Sequence, residues 1–171
     1  GRAAKKETVG IKGGQKFAGL LVFASDVAAL GLPTAQGLTL TETWYWDAND
    51  TNRAWTKRWH EAGAGSTKFP TMIHAGVYAG ILHYLKARVE LGGNPEGKAV
   101  VAKMKAMPTD DKLFGKGSIR QDGRKIHDMY LFEVKKPEES KGPWDYYKTR
   151  ATIPADQAFR PLNEGECPLV K

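Results

Sequence analysis

An α/β fold with a largely parallel sheet is the class this sequence of 171 residues predicts, and three observations predict it. Segments of strand pattern and helix pattern alternate along the chain. One apolar run, "FAGLLVFA" from Phe17, is continuous rather than alternating, as a strand covered on both faces would be. Hydrophobic residues make up 41% of the chain, enough for a core and too many for a disordered segment.

The first residues, "GRAAKKETVGIKGG", read as the tail of a helix ending at Gly10, so the chain is expected to be a fragment of something longer or a mature product. The apolar run follows, and Asp26 is expected to N-cap a short helix, "DVAALGL". "GLTLTETWYW" alternates Leu38, Leu40, Trp44 and Trp46 with threonines and predicts the clearest strand. "DANDTNRAWTKRWHEA" begins with helix starters and places Trp55 and Trp59 at i, i+4, the spacing of a packing face. After a loop at Gly63–Phe69, Pro70 opens the longest helix, to about Leu91, with Ile73, Val77, Ile81, Leu85 and Val89 on one apolar face.

"GGNPEG" stops that helix and starts another, with Asn94 as N-cap, Pro95 first in the helix, and Val100, Val101 and Met104 as its apolar face. "GKGSIRQDGRKIHDMYLFEVK" predicts a hairpin turning at Gln121, Asp122 and Gly123 and running into a strand over Met129–Val134. A short strand is expected near "WDYY", and the end of the chain, with three prolines, is irregular.

The stretch "TMIHAGVYAG", residues 71–80, raises a question. Ala75, Gly76, Ala79 and Gly80 strip one side of the helix nearly bare, and Tyr78 stands in the middle of it. Either another backbone packs there or a small molecule does.

Several function classes find no support. The spacing G-x-x-x-x-G-K from Gly92 to Lys98 is followed by Ala99, not Ser or Thr, and follows a helix, so it is no phosphate loop. The four histidines and the single Cys167 show no metal-ligand spacing. No nucleophile elbow and no selected carboxylate pair appears, so the chain is expected not to be an enzyme and to need no cofactor. Cys167 excludes a disulfide within the chain. The net charge of +7 invites a basic interaction module that binds an acidic partner or nucleic acid, but the basic residues are dispersed among acidic ones, as in "KKPEESK". A solvated surface explains them, and no nucleic-acid partner is expected.

In order and spacing, "GGQKFAGLLVFASDVAALG", "AQGLTLTETWYWD", "PTMIHAGVYAGILHYLKA" and "FGKGSIRQDGRKIHDMYLFEVKKP" resemble the C-terminal half of type I periplasmic solute-binding proteins. More narrowly they resemble receptors of the branched-chain amino acid type, in the branch that takes up aromatic carboxylic acids through an ABC transporter. The resemblance implies a partial type I periplasmic binding fold, with portions of two lobes: residues 1–41 in the second lobe, 42–130 in the first, and 131–171 returning to the second. It implies a periplasmic, non-enzymatic transport protein that binds an amino acid or aromatic acid between lobes and hands it to a membrane permease. The family's N-terminal half, which holds the first strands of both lobes, has no counterpart in the sequence. A stable monomer is therefore not expected; the complementary half or a second copy of the chain should accompany it.

The resemblance also implies ligand-binding residues. Asp26 matches the position of the acid that meets a ligand ammonium or hydroxyl, with helix capping as the other reading. Tyr78 lies one turn into the helix whose start lines the cleft, and Met72, Ile73 and His74 occupy the neighbouring wall. Asp26 and Tyr78 are expected on one concavity. The small residues would then bring the helix close to the sheet while its first turn faces the ligand.

Overall fold

The computed structural model describes residues 16–63, 68–168 and 170. The helix tail expected before Gly10 lies outside the described residues. By internal contacts the chain forms two compact units, one of residues 1–42 and 130–152, the other of 43–129 and 153–171.

The first unit is built on a four-stranded sheet in the order β1 (Ala18–Gly19), β2 (Thr39–Glu42), β6 (Met129–Val134), β7 (Tyr147–Ile153). β1 pairs parallel with β2, and β2 pairs antiparallel with β6, with Leu40 opposite Phe132 and Glu42 opposite Tyr130. Two short helices, α1 (Ala24–Leu30) and α2 (Leu32–Ala35), join β1 to β2. Leu40, Phe132, Val134, Tyr147 and Val27 are buried. The Phe132 and Tyr147 rings stack at 5.2 Å, and the Tyr147 hydroxyl donates to the buried Glu42 carboxylate at 2.8 Å. A buried carboxylate needs such a donor to remain buried.

Three expectations are corrected here. The first unit's sheet is mixed and the second unit's is antiparallel, where a largely parallel sheet was expected; β1–β2 is the parallel pair among the described pairings. The apolar run from Phe17 gives only a two-residue strand, and Leu20 is 98% exposed. The run lies at a sheet edge: β1 has β2 as its one neighbour among the described residues and pairs with it over two residues, while Ala24, at the end of the run, is buried in α1. Asp26 is not the N-cap of α1. Phe23 holds that position, and Asp26, three residues on, accepts the Phe23 N–H at 2.7 Å.

The second unit holds α3 (Asp50–Glu61), α4 (Met72–Leu91), α5 (Gly97–Ala106) and a three-stranded sheet, β3 (Thr109–Asp111), β4 (Gly115–Ile119) and β5 (Lys125–Ile126), antiparallel throughout. Asn49 caps α3 by accepting the Asn52 N–H at 2.9 Å. Thr71, not Pro70, caps α4. At the other end of α4, Gly92 and Gly93 both take positive φ and turn the chain. That turn consumes the residues expected to begin the next helix, so α5 starts at Gly97 with Glu96, not Asn94, in the cap position. The β4–β5 turn is as expected: Gly123 has φ +87°, and the Asp122 carboxylate accepts from the Arg124 N–H and the Arg120 guanidinium.

The core of this unit is a cluster of Trp44, Trp55, Ala75 and Leu113. Trp44 and Trp55 meet edge-on at 5.4 Å, a favoured aromatic geometry. α4 packs against α5 and β3, and His83 Nε2 bonds the Met104 carbonyl of α5 at 2.8 Å. The inner face of α4 is Ala75, Ala79, His83 and Ala87. The stripe of Ile73, Val77, Ile81, Leu85 and Val89 does share one face, but that face is exposed.

Candidate functional site: the groove beside α4

α3 and α4 enclose an open groove of about 600 Å³ in the second unit, walled by Trp55, Trp59, Ile73, His74, Val77, Tyr78 and Ile81, with Arg58 beside them. Nearly all of this wall is carbon. Polar groups that can orient a ligand come from three residues, Arg58, His74 and Tyr78.

The capping of α4 fixes His74. Its Nδ1 accepts the Thr71 N–H at 3.1 Å, so in the neutral ring the proton sits on Nε2, which is left as a donor. The ring packs edge-on against Trp59 at 4.8 Å. Tyr78 lies against Trp55 at 5.4 Å and is partly exposed. It also borders a second, more polar recess of about 390 Å³ whose lining includes Arg58, Lys86, Asp110, Asp111 and Lys112. In that recess Asp111 is committed to structure. It accepts the Leu113 and Phe114 N–H groups and pairs with Lys125 at 2.6 Å. The apolar groove is therefore the better candidate for an aromatic or aliphatic ligand with an acceptor group at one end.

Of the residues the sequence selects, Ile73, His74 and Tyr78 line this groove. Met72 does not. It turns toward Thr43, whose N–H and hydroxyl approach its sulfur at 3.4 and 3.6 Å. Asp26 belongs to the first unit, where its carboxylate is engaged in capping α1. Trp55 and Trp59 pack as their spacing predicts, with ring centroids 5.7 Å apart, and both also line the groove. Sequence reasoning missed Arg58. Its signal was available: it lies between the two tryptophans, at i+3 from Trp55. Among the described residues no group of three or more His, Cys, Asp or Glu side chains is placed to hold a metal.

A family model described as periplasmic binding protein matches residues 2–143. A periplasmic binding protein from Burkholderia mallei is 49% identical, with a TM-score of 0.83 over 92% of this chain and 40% of its own. A branched-chain amino acid ABC transporter periplasmic ligand-binding protein from Burkholderia xenovorans LB400 is 40% identical, with a TM-score of 0.83 over 92% of this chain and 41% of its own. A solute-binding protein of an ABC transporter from Rhodopseudomonas palustris BisB5, in complex with 3,4-dihydroxybenzoic acid, shares the fold at 21% identity, with a TM-score of 0.67 over 84% of this chain and 38% of its own. No curated protein matches. The chain spans about two fifths of the length of these solved structures. With the family model matched over most of its length and two solved members at these identities, the chain belongs to the periplasmic binding protein family and carries part of the type I fold.

Proposed function

We propose that the chain is the substrate-binding component of an ABC uptake transporter, or part of one, and that its ligand is an amino acid or an aromatic carboxylic acid. One observation carries the choice of site. The first turns of α4 bring Ile73, His74 and Tyr78 together on a carbon-walled groove with a cation, Arg58, beside it. In this reading the ligand body lies on the Trp59 and Ile73 side chains, Arg58 takes a carboxylate, and the Tyr78 hydroxyl and His74 Nε2 donate to acceptors. Asp26 is retained as the acid for a ligand ammonium or hydroxyl, and Met72 as support behind Ile73. The working site is periplasmic, and a membrane permease is the partner that receives the ligand.

We also propose that the two compact units correspond to portions of the two lobes. The stretch after Thr152 clusters with the second unit, whereas the division drawn from the sequence sends it to the other lobe. The rest of a periplasmic binding fold, or a second copy of the chain, completes the assembly.

The alternative, a basic module for nucleic acid, is less well supported because many cations are already paired. Arg53 bonds Asp47 and Asp50, Arg150 and Lys148 share Glu133, and Lys103 holds Glu90. Paired charges make a poor phosphate stripe.

Ligand-observed NMR with a panel of benzoic acids and apolar amino acids tests the reading. Saturable binding of one class, weakened about tenfold by Arg58→Ala and less by Tyr78→Phe, is expected. Binding that neither substitution moves would place the site elsewhere.

A further inference from the structure

The last stretch of the second unit, residues 153–168, is tied down thinly. None of its residues is buried, and its regular structure is one turn of 3-10 helix, Leu162–Gly165. Segments held by few apolar contacts and exposed hydrogen bonds open before the rest of a protein. After Thr152 the chain passes from the first unit into the second, so this stretch links the units, and the link is firm only while the stretch is docked.

What docks it is the β4–β5 hairpin and the two residues that follow. The Asp128 carboxylate accepts the Ala155 N–H at 2.9 Å, and the Arg120 guanidinium donates to the Arg160 carbonyl at 2.8 Å. Between these bonds Phe159 meets the His127 ring edge-on, with centroids 5.5 Å apart, and the Arg124 guanidinium lies 5.7 Å from the Phe159 centroid. A second ring, Phe114, packs on His127 at 5.3 Å. Phe159 is thus the aromatic anchor of the stretch, and a histidine receives it.

The charge of that histidine decides how well it does so. Its Nδ1 lies 2.8 Å from the Asp128 carbonyl, which can only accept, so the neutral ring carries its proton there and acid adds the next at Nε2. Burial disfavours the charged ring and holds His127 below its ordinary 6.5. The bond to the Asp128 carbonyl works against this. Among the charged groups that face the ring, Lys125 disfavours the cation, while Asp111 and Asp128 favour it; Lys125 and Asp111 are themselves paired at 2.6 Å and largely offset each other. Arg124 reaches the ring through Phe159. Docking therefore selects the neutral ring, and undocking, which returns the ring to water, selects the cation. By linkage the docked state is fully favoured above 6.5 and weakens below it.

We propose that residues 153–168 are an acid-released clasp, docked at neutral pH through the Phe114, His127 and Phe159 rings and let go when the His127 ring takes its second proton. The clasp is a property of the second unit alone and does not depend on which ligand the groove takes.

Hydrogen exchange of the 171-residue chain, read by mass spectrometry as protection over the unstructured rate at each pH, tests this. Between about pH 7.5 and 5.5 the peptides covering 153–168 should lose about three- to tenfold in protection, while those of β6 and α4 keep theirs. His127→Phe keeps a ring that cannot charge and should hold the clasp at both pH values. Phe159→Ala removes the anchor without touching the tryptophan core and should lower protection at both. An unchanged clasp in acid, or the same acid loss in His127→Phe, overturns the proposal. So does a loss that Asp128→Asn abolishes, which would place the switch on the carboxylate, or a loss shared by β6 and α4, which would be unfolding of the whole chain.

Discussion

In the first unit, β6 buries Phe132 and Val134 against Leu40 of β2 and Tyr147 of β7; in the second, α4 buries alanines and leaves its branched side chains outside. The sheet is closed by residues distant in sequence, down to a hydrogen bond between Glu42 and Tyr147. The helix pair is closed on one side only, by Trp44, Trp55 and Leu113 around Ala75. Apolar periodicity thus reports that a face is made to be covered. Whether anything covers it depends on which neighbours the chain supplies.

The largest effect should come from the closed side of this comparison. Phe132→Ala removes a fully buried ring and should cost about 3–5 kcal/mol in urea unfolding. A cost under about 1 kcal/mol would mean that the first unit is not closed. Next, Ala75→Leu overpacks the tryptophan cluster and should cost roughly 1–3 kcal/mol. Val77→Ala, two residues along the same helix but on the open side, should stay within about 0.5 kcal/mol for the chain alone. Equal costs for the two would erase the distinction between the faces of α4.

Gly80→Ala is a sharper and smaller test. It adds helix propensity where the Cβ meets nothing, so it should stabilise the isolated chain by roughly 0.5–1 kcal/mol. Destabilisation in thermal melts would show that something in the chain already packs on that glycine.

The smallest effects are in pH dependence, and they separate the units. In the first unit, the bidentate Arg150 guanidinium at 2.9–3.0 Å, helped by Lys148, holds Glu133 below the usual carboxylate range. A depressed carboxylate contributes stability above its ordinary value near 4.5, and that contribution is lost as pH falls through its folded value. Glu133→Gln should flatten this acid step. In the second unit, burial between Phe114 and Phe159 pushes His127 below its ordinary 6.5. Its contribution is full above 6.5 and falls away as pH drops below that, earlier than the carboxylate step. His127→Gln should remove it. Melting midpoints followed against pH read both, and unchanged profiles in the variants would assign the steps elsewhere.

Much of this was legible in the sequence, for local reasons. Asn49 starts a helix, Gly92 stops one, and Gly123 supplies the positive φ of a hairpin turn; each acts on its immediate neighbours. The fate of "FAGLLVFA" was not legible, because a strand extends only where it is paired, and β1 meets β2 at two positions, Ala18 with Thr39 and Gly19 with Leu40. Three of the residues that the resemblance implied, Ile73, His74 and Tyr78, come together on one groove because they lie on neighbouring positions of one helix. Met72 is one residue out of step and points to Thr43 instead. Arg58 was missed because a cation between two tryptophans reads as the solvated side of an amphipathic helix until α4 is seen packed beside it.

The claim that this chain serves a small-molecule receptor is tested most directly by calorimetric titration of the completed assembly with amino acids and aromatic carboxylic acids, repeated at low and high salt. Saturable one-to-one binding of one of these classes is expected, with an affinity that salt changes little, because the ligand sits in an apolar site away from screening ions. No heat with any acid, together with nucleic-acid binding that collapses as salt rises, would contradict it.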